Sequence, residues 1–222
     1  MFCKLVTCLS FFAFGICAAS AQDLRKVNCR FLALNFTSPP TGLISVGEKG
    51  AEFPITVTTN SPSDPVACFA TGNKIGFLAA ADKKPAAIAT LPPTGGAFIL
   101  LFVKGAQKEG SLPWQVFVIE DSPKNFPAGG AYVVNFYKDD IRFSIGEHKI
   151  KLPSAGAFGV KQPQQVDNFN MTTVMVEFEV DKKWKVAQET MIRILPNVRY
   201  LMCAYIDPIT QRPCVTTSVD IK

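Results

Sequence analysis

The 222-residue chain is 48% hydrophobic and 18% charged, with 16 Pro, 15 Gly, 18 Phe, a single His and a net charge of +5. That composition excludes a disordered chain, a collagen-like or low-complexity sequence, and any metal centre built on several histidines. The length accommodates one large domain or two of about 100 residues, each able to bury a core.

Residues 1–21 read as an export signal. Met1-Phe2-Cys3-Lys4 forms a short basic start, and an apolar run over 5–17 carries Phe11, Phe12, Phe14 and Ile16. Ala19-Ser20-Ala21 supplies the small residues that a signal peptidase needs, making Gln22 the new N-terminus. A membrane anchor is the alternative, but the run is short and no later stretch approaches about 20 uninterrupted apolar residues. Acylation at Cys17 is disfavoured because Ile16, not a small residue, precedes it.

From Val27 onward, period-two runs alternate with turn residues. The breaks are Pro39-Pro40-Thr41-Gly42, Ser61-Pro62-Ser63-Asp64-Pro65, Pro92-Pro93-Thr94-Gly95-Gly96 and Pro127-Ala128-Gly129-Gly130. Residues 97–103 are apolar on both faces, as a central strand is. Ile141, Phe143 and Ile145 alternate with Arg142 and Ser144, and Val174, Val176, Phe178 and Val180 alternate with polar residues that include Glu177 and Glu179. After Asp181-Lys182-Lys183, parity puts Trp184 and Val186 with Ile192 and Ile194, facing a core. No amphipathic helix longer than a turn or two is evident. About fourteen to sixteen short strands at this spacing predict an all-β fold of β-sandwiches.

A repeat divides the chain. Leu34-Asn35-Phe36 precedes Ser45-Val46-Gly47-Glu48-Lys49; one hundred residues on, Val134-Asn135-Phe136 precedes Ser144-Ile145-Gly146-Glu147. Leu91-Pro92 and Leu195-Pro196 each lead into a strand, and both halves end near acids, Glu120-Asp121 and Asp220. The glycine can supply a positive φ to a tight hairpin. The expectation is two tandem immunoglobulin-like β-sandwich domains, 22–122 and 123–222, joined near 122–130; chance likeness of short strands is the alternative.

Cys3, Cys8 and Cys17 leave with the signal, whereas Cys29, Cys68, Cys203 and Cys214 remain. Four cysteines in an oxidising compartment allow three complete pairings. The simplest is Cys29–Cys68 with Cys203–Cys214, the latter closing a hairpin over 200–219 around Asp207-Pro208-Ile209-Thr210. Four buried free thiols are the alternative. No spacing of these cysteines suggests a metal or redox site, and no cofactor is implied.

Chemistry is sparse. There is no Gly-x-Ser-x-Gly elbow, and the only histidine, His148, falls in the expected turn Gly146-Glu147-His148-Lys149 as an exposed side chain. Asp139-Asp140 and Asp207 lack a spaced calcium-loop pattern and read as turn residues. Glu177 and Glu179 share a strand face about 7 Å apart, near the spacing of glycosidase carboxylates, but Lys182, Lys183 and Lys185 follow and suggest a solvated face. Among aromatics able to stack on a sugar, Trp114 at a strand start is the candidate, with Tyr132, Tyr137, Tyr200 and Tyr205 behind it. Arg142, Lys149 and Lys151 can line one solvent face and attract an anionic envelope polysaccharide; solubilising lysines on edge strands are the plainer reading. Asn35-Phe36-Thr37 and Asn170-Met171-Thr172 match the N-glycosylation pattern.

The stretch 125–136, Asn-Phe-Pro-Ala-Gly-Gly-Ala-Tyr-Val-Val-Asn-Phe, together with Ile145-Gly146 and Lys151-Leu152-Pro153, resembles exported bacterial all-β proteins of unknown function. In those small envelope sandwich domains a Phe-Pro-Ala-Gly turn leads into a strand ending in Asn. The resemblance implies an exported β-rich protein and carries over no catalytic residue.

The sequence thus predicts a secreted or periplasmic, non-catalytic protein that binds or builds the cell envelope, its partner an envelope protein or polysaccharide. No nucleic acid and no transmembrane segment after signal cleavage are expected. A carbohydrate-binding module using Trp114 is the first alternative. A glycan-active enzyme using Glu177 and Glu179, or Asp139 and Asp140, in a cleft is the second.

Overall fold

The computed structural model describes residues 24–34, 42–105, 108–207 and 209–222. The signal reading of 1–21 and the Asn35 copy of the repeat lie outside them. The described chain is all-β, with one 3-10 turn at Glu48–Gly50. Its strands are β1 (Leu24–Ala33), β2 (Leu43–Val46), β3 (Glu52–Ile55), β4 (Val66–Thr71), β5 (Lys74–Ala79), β6 (Pro85–Thr90), β7 (Ala97–Lys104) and β8 (Trp114–Glu120). They continue with β9 (Ala131–Asn135), β10 (Ile141–Ile145), β11 (His148–Leu152), β12 (Ala157–Val160), β13 (Met171–Val180), β14 (Lys183–Arg193), β15 (Val198–Ile206) and β16 (Pro213–Ile221). Among the described residues, no helix is long and apolar enough to cross a membrane.

The N-terminal half runs β3-β2-β5-β4-β1-β7-β8, with β6 on the other edge of β5. β4 and β5 meet at one residue pair, Thr71 with Lys74, so the sheet folds there into two leaves, β3-β2-β5-β6 and β4-β1-β7-β8. The C-terminal half forms β11-β10-β13-β14 and β12-β9-β15-β16, the same order with every strand number raised by eight. In each half the first strand lies parallel to the seventh, β1 to β7 and β9 to β15. This order departs from the immunoglobulin expectation, in which strands A-B-E-D oppose C-F-G. The difference arises because the first strand of each half inserts between the fourth and the seventh.

Three cores separate four sheet layers. Phe31, Phe77, Phe98 and Phe102 fill the first, between the leaves of the N-terminal half. Val133, Phe143, Val176, Phe178 and Met202 fill the second, within the C-terminal half. The third joins the halves: Leu32, Ile99, Leu101 and Ile119 pack against Phe126, Val134, Leu201 and Cys203. β7 explains its two apolar faces this way. Phe98, Leu100 and Phe102 point into the first core, and Ile99 and Leu101 into the third.

The joint between halves is packed rather than loose. Phe126 is fully buried, with the Arg199 guanidinium 4.0 Å from its ring centroid. Asn135, the repeat's buried asparagine, donates from Nδ2 to the carbonyls of Asp139 (2.9 Å), Leu152 (3.2 Å) and Pro153 (3.0 Å). Its Oδ1 accepts the Tyr137 amide at 2.8 Å. One side chain therefore satisfies the backbone where strand pairing stops.

Candidate functional site

Edge strand β11 is the common wall of two depressions. The first lies on the outer face of β11-β10-β13, encloses about 370 Å³ and is lined by Arg142, Ser144, Lys149, Lys151, Met175 and Glu177. Register places Lys151 directly opposite Arg142, and Lys149 opposite Ser144. Cations opposed in this way repel each other. Arg142 has Glu177 as its partner on β13, and its guanidinium stacks 3.8 Å from the centroid of Trp184 on β14. Lys151 Nζ lies 5.9 Å from the same ring and 2.8 Å from an Asp140 carboxylate oxygen.

Trp184 is a correction to the sequence reading, which placed it in a core. The β13–β14 register shifts between Val176 and Glu177: Gln188 pairs with Val176, and Val186 pairs with Glu177, skipping Ala187. This bulge reverses the strand's parity. Ile192 still packs on the core, whereas Trp184 and Val186 fall opposite Glu179 and Glu177 on the outer face. Parity cannot reveal a bulge, so the stacked Trp184 went unseen.

The second depression, about 470 Å³, lies between edge strands β11 and β12 and includes His148, Lys149, Lys151, Phe158 and Lys161. Phe158 shares parity with buried Val160, yet it is 51% exposed because no strand closes the edge beside it. Residues 161–170 border this mouth and are tied back by Glu147, whose carboxylate accepts the amides of Gln164 (2.9 Å) and Gln165 (3.1 Å). Those bonds hold the Glu147 carboxyl down at about 2. His148 is half-buried at the start of β11, not an exposed turn residue, 3.4 Å from Glu147.

The other sequence candidates fall elsewhere. Trp114 begins β8 opposite Lys104 and packs, half-buried, against the first core. Tyr132 lines the core between the halves, and Tyr137 and Tyr200 are buried, their hydroxyls donating to the carbonyls of Glu179 and Arg193. Glu179 lies opposite Trp184 and Glu177 opposite Val186; both are half-buried, and Glu177, not Glu179, lines the first depression. Asp207 caps its own turn, accepting the amides of Ile209 (2.7 Å) and Thr210 (2.8 Å). Among the described residues, no three His, Cys, Asp or Glu side chains converge as a metal site requires.

Cys29, Cys68, Cys203 and Cys214 are free thiols in the structure. Cys29 and Cys68 lie on adjacent strands in the first core, with Cys29 opposite Val66 and Cys68 opposite Val27. The neighbouring Cys68 thiol and burial push the Cys29 thiol up. Cys203 and Cys214 do not face each other, against expectation: Cys203 opposes Thr216, and Cys214 opposes Tyr205. Strand pairing resumes only at Ile206 with Pro213, so the hairpin loop is longer than the four-residue turn and the register slides by two.

A second polar constellation bridges the halves. Arg199 donates Nε to Asp220 (3.0 Å), and Nη1 to Asp121 (2.8 Å) and to the Phe126 carbonyl (3.0 Å). Arg30 reaches Asp220 at 2.7 Å and the Ser63 carbonyl at 2.8 Å, and Lys222 reaches Asp121 at 3.0 Å. Burial alone would raise the Asp121 and Asp220 carboxyls, but the bonds from their cations outweigh it and hold both below the usual range. These are the acids at the two half ends in the sequence; the cations that meet them come from β1, β15 and Lys222 after β16, and carried no sequence signal. Every group in this cluster is paired, so its role is to fasten the halves.

No protein-family model matches the chain, and no curated protein is similar to it at a significant level.

Proposed function

We propose that the chain is an exported, non-catalytic component of the cell envelope, built of two tandem β-sandwich domains and binding an anionic envelope polysaccharide along β11. The domains are immunoglobulin-like in layering but not in strand order, and the matching order of β1–β8 and β9–β16 supports their origin by duplication. The observation that carries the ligand class is the direct opposition of Arg142 and Lys151, with Lys149 two pairs along on the same face. Like charges held opposite each other on a sheet favour an anion laid across them, in competition with Asp140, which pairs with Lys151. Trp184 fixes Arg142 in place through a cation–π contact and offers its ring edge to a sugar. Glu177, paired across the ladder with Arg142, and Glu179, outside the depression, serve better to space these cations than to cleave a glycosidic bond.

The test is a glycan array probed with the mature 22–222 protein at low and high salt. Anionic glycans should be retained at low salt and released at high salt, and Arg142→Ala with Lys151→Ala should abolish retention. Binding that survives those changes, resists salt and is lost in Trp114→Ala would replace this reading with a Trp114-based carbohydrate module. Silence across acidic glycans would refute the ligand class.

A further inference from the structure

We propose that the mouth between β11 and β12 docks a partner protein, which adds an extended acidic segment to the free edge of β12 and lays an aromatic side chain on Phe158. Among the described residues, β12 has β9 as its only strand neighbour and β11 has only β10, so both walls of the mouth are sheet edges. An edge strand presents unpaired backbone N–H and C=O groups, a template for one more strand. A polypeptide backbone matches that edge and a glycan does not, which favours a protein over a polysaccharide here.

The side chains define what the added strand carries. Ile150 and Leu152 pair with Phe143 and Ile141, and Phe158 and Val160 pair with Val133 and Ala131. All four therefore take the core face of their strands, and the floor of the mouth is the uncovered margin of the second core. The N-terminal half bridges the gap between the counterpart strands with rings of its own, Phe53 of β3 stacked on Phe69 of β4 with centroids 5.8 Å apart. β11 reads His148-Lys149-Ile150-Lys151-Leu152 and supplies no Phe, Tyr or Trp to set on Phe158. A partner's ring does at this gap what Phe53 and Phe69 do at the other.

The rim selects for charge. Lys149, Lys151 and Lys161 line the mouth, and among the described residues Lys149 and Lys161 have no acidic partner. Lys151 is held by Asp140 at 2.8 Å, and Glu147 commits its carboxylate to the amides of Gln164 and Gln165. An extended segment turns alternate side chains to opposite faces, so an apolar set meets the floor while an acidic set meets the lysines. The mouth thus takes a different ligand from the outer face of β11, although the two depressions share Lys149 and Lys151.

The experiment titrates the mature 22–222 protein into a fluorescein-labelled synthetic peptide that alternates glutamate with phenylalanine and valine, read by anisotropy. Saturable binding is expected, weakened by high salt and absent for the same peptide with lysine at every glutamate. Phe158 is 51% exposed, so Phe158→Ser should fold, and it should weaken binding about tenfold through the lost ring contact. Lys161→Glu, a surface change, should weaken binding several-fold by reversing a rim charge. Hydrogen exchange at the amides of residues 157–160 should slow in the complex, as strand addition requires. No binding by the acidic peptide, equal binding by the basic one, or unchanged exchange at 157–160 would overturn the proposal. Binding lost in Arg142→Ala but kept in Phe158→Ser would also overturn it, by placing the peptide on the outer face.

Discussion

The two halves share a strand order but differ at one seam. In the N-terminal half, β4 passes to β5 through the two-residue turn Gly72-Asn73, Gly72 adopting φ +60°, and the ladder continues across it at Thr71–Lys74. In the C-terminal half, the equivalent β12 passes to β13 through residues 161–170, and β12 and β13 lie in different sheets without pairing. The closed seam protects a Phe-rich core that also holds Cys29 and Cys68. The open one leaves Phe158 exposed between lysines. One topology thus yields a sealed half and a half with a mouth, and the length of a single connection separates them.

The largest effect should come from uncoupling the halves. Arg199→Ala removes the central cation from two carboxylates that are 5% and 1% exposed. Breaking a buried pair costs about 3–5 kcal/mol, and the low end applies because Arg30 and Lys222 remain. Urea unfolding should show this loss and split one transition into two, the halves then melting separately. Lys83→Ala, which breaks only an exposed pair with Glu52, should cost under about 0.5 kcal/mol. Equal effects of the two changes would show that the halves are not fastened through Arg199.

Next in size is Asn135→Ala. Three carbonyls and the Tyr137 amide lose their partner, and leaving such groups unpaired costs about 2–3 kcal/mol. Amide exchange should quicken at Tyr137 and around the β9–β10 loop while β1–β8 stay protected. Quickening in both halves would mean that Asn135 supports the whole molecule rather than its own seam.

The repeat was legible because its residues do local work. Asn135 was marked by the recurrence of an asparagine between two apolar residues, and Gly146 by its place before Glu147. Residues 97–103 announced two buried faces, and β7 does separate two cores. What stayed hidden depends on distant or irregular geometry. The Ala187 bulge turned Trp184 outward against parity, the hairpin register set Cys203 and Cys214 apart, and the Arg30–Asp220 contact spans most of the chain. Period-two alternation records which face a residue takes relative to its neighbours. It cannot count a skipped residue or choose a cross-chain partner.

The paired glycines give a smaller and sharper comparison. Gly146 has φ +56°, as a tight hairpin expects, whereas Gly47 has φ −104° and is kept small by the Phe53 ring, 2.4 Å from where a Cβ would stand. Each Gly→Ala should cost about 1–2 kcal/mol, but for different reasons. Phe53→Leu should recover much of the Gly47→Ala loss. A Cβ at Gly146 would also meet Thr172 Oγ1 at 2.9 Å, but trimming that side chain should recover little of the Gly146→Ala loss, since the positive φ remains. Thermal melts of the single and double variants decide this. Rescue at both positions would remove the difference.

The smallest effect is a pH response confined to the open seam. Glu147 is depressed from 4.5 to about 2 by the amides of Gln164 and Gln165, so its carboxylate anchors the 161–170 segment. A depressed carboxyl stabilises fully above its unfolded pKa, and that stabilisation fades as pH falls from about 4.5 toward 2. Phe169, 70% exposed within this segment, offers a pepsin site that reads the anchoring. Wild type should be cut slowly near pH 4.5 and progressively faster toward pH 2, whereas Glu147→Gln should be cut fast throughout; the ratio of the two rates corrects for pepsin's own pH dependence. That ratio should approach one at the acid end, and equal rates at pH 4.5 would show that Glu147 anchors nothing. The Gly72-Asn73 turn of the other half has no titrating group of its own, so the same acid sweep should leave it intact, confining the response to the half that carries the mouth.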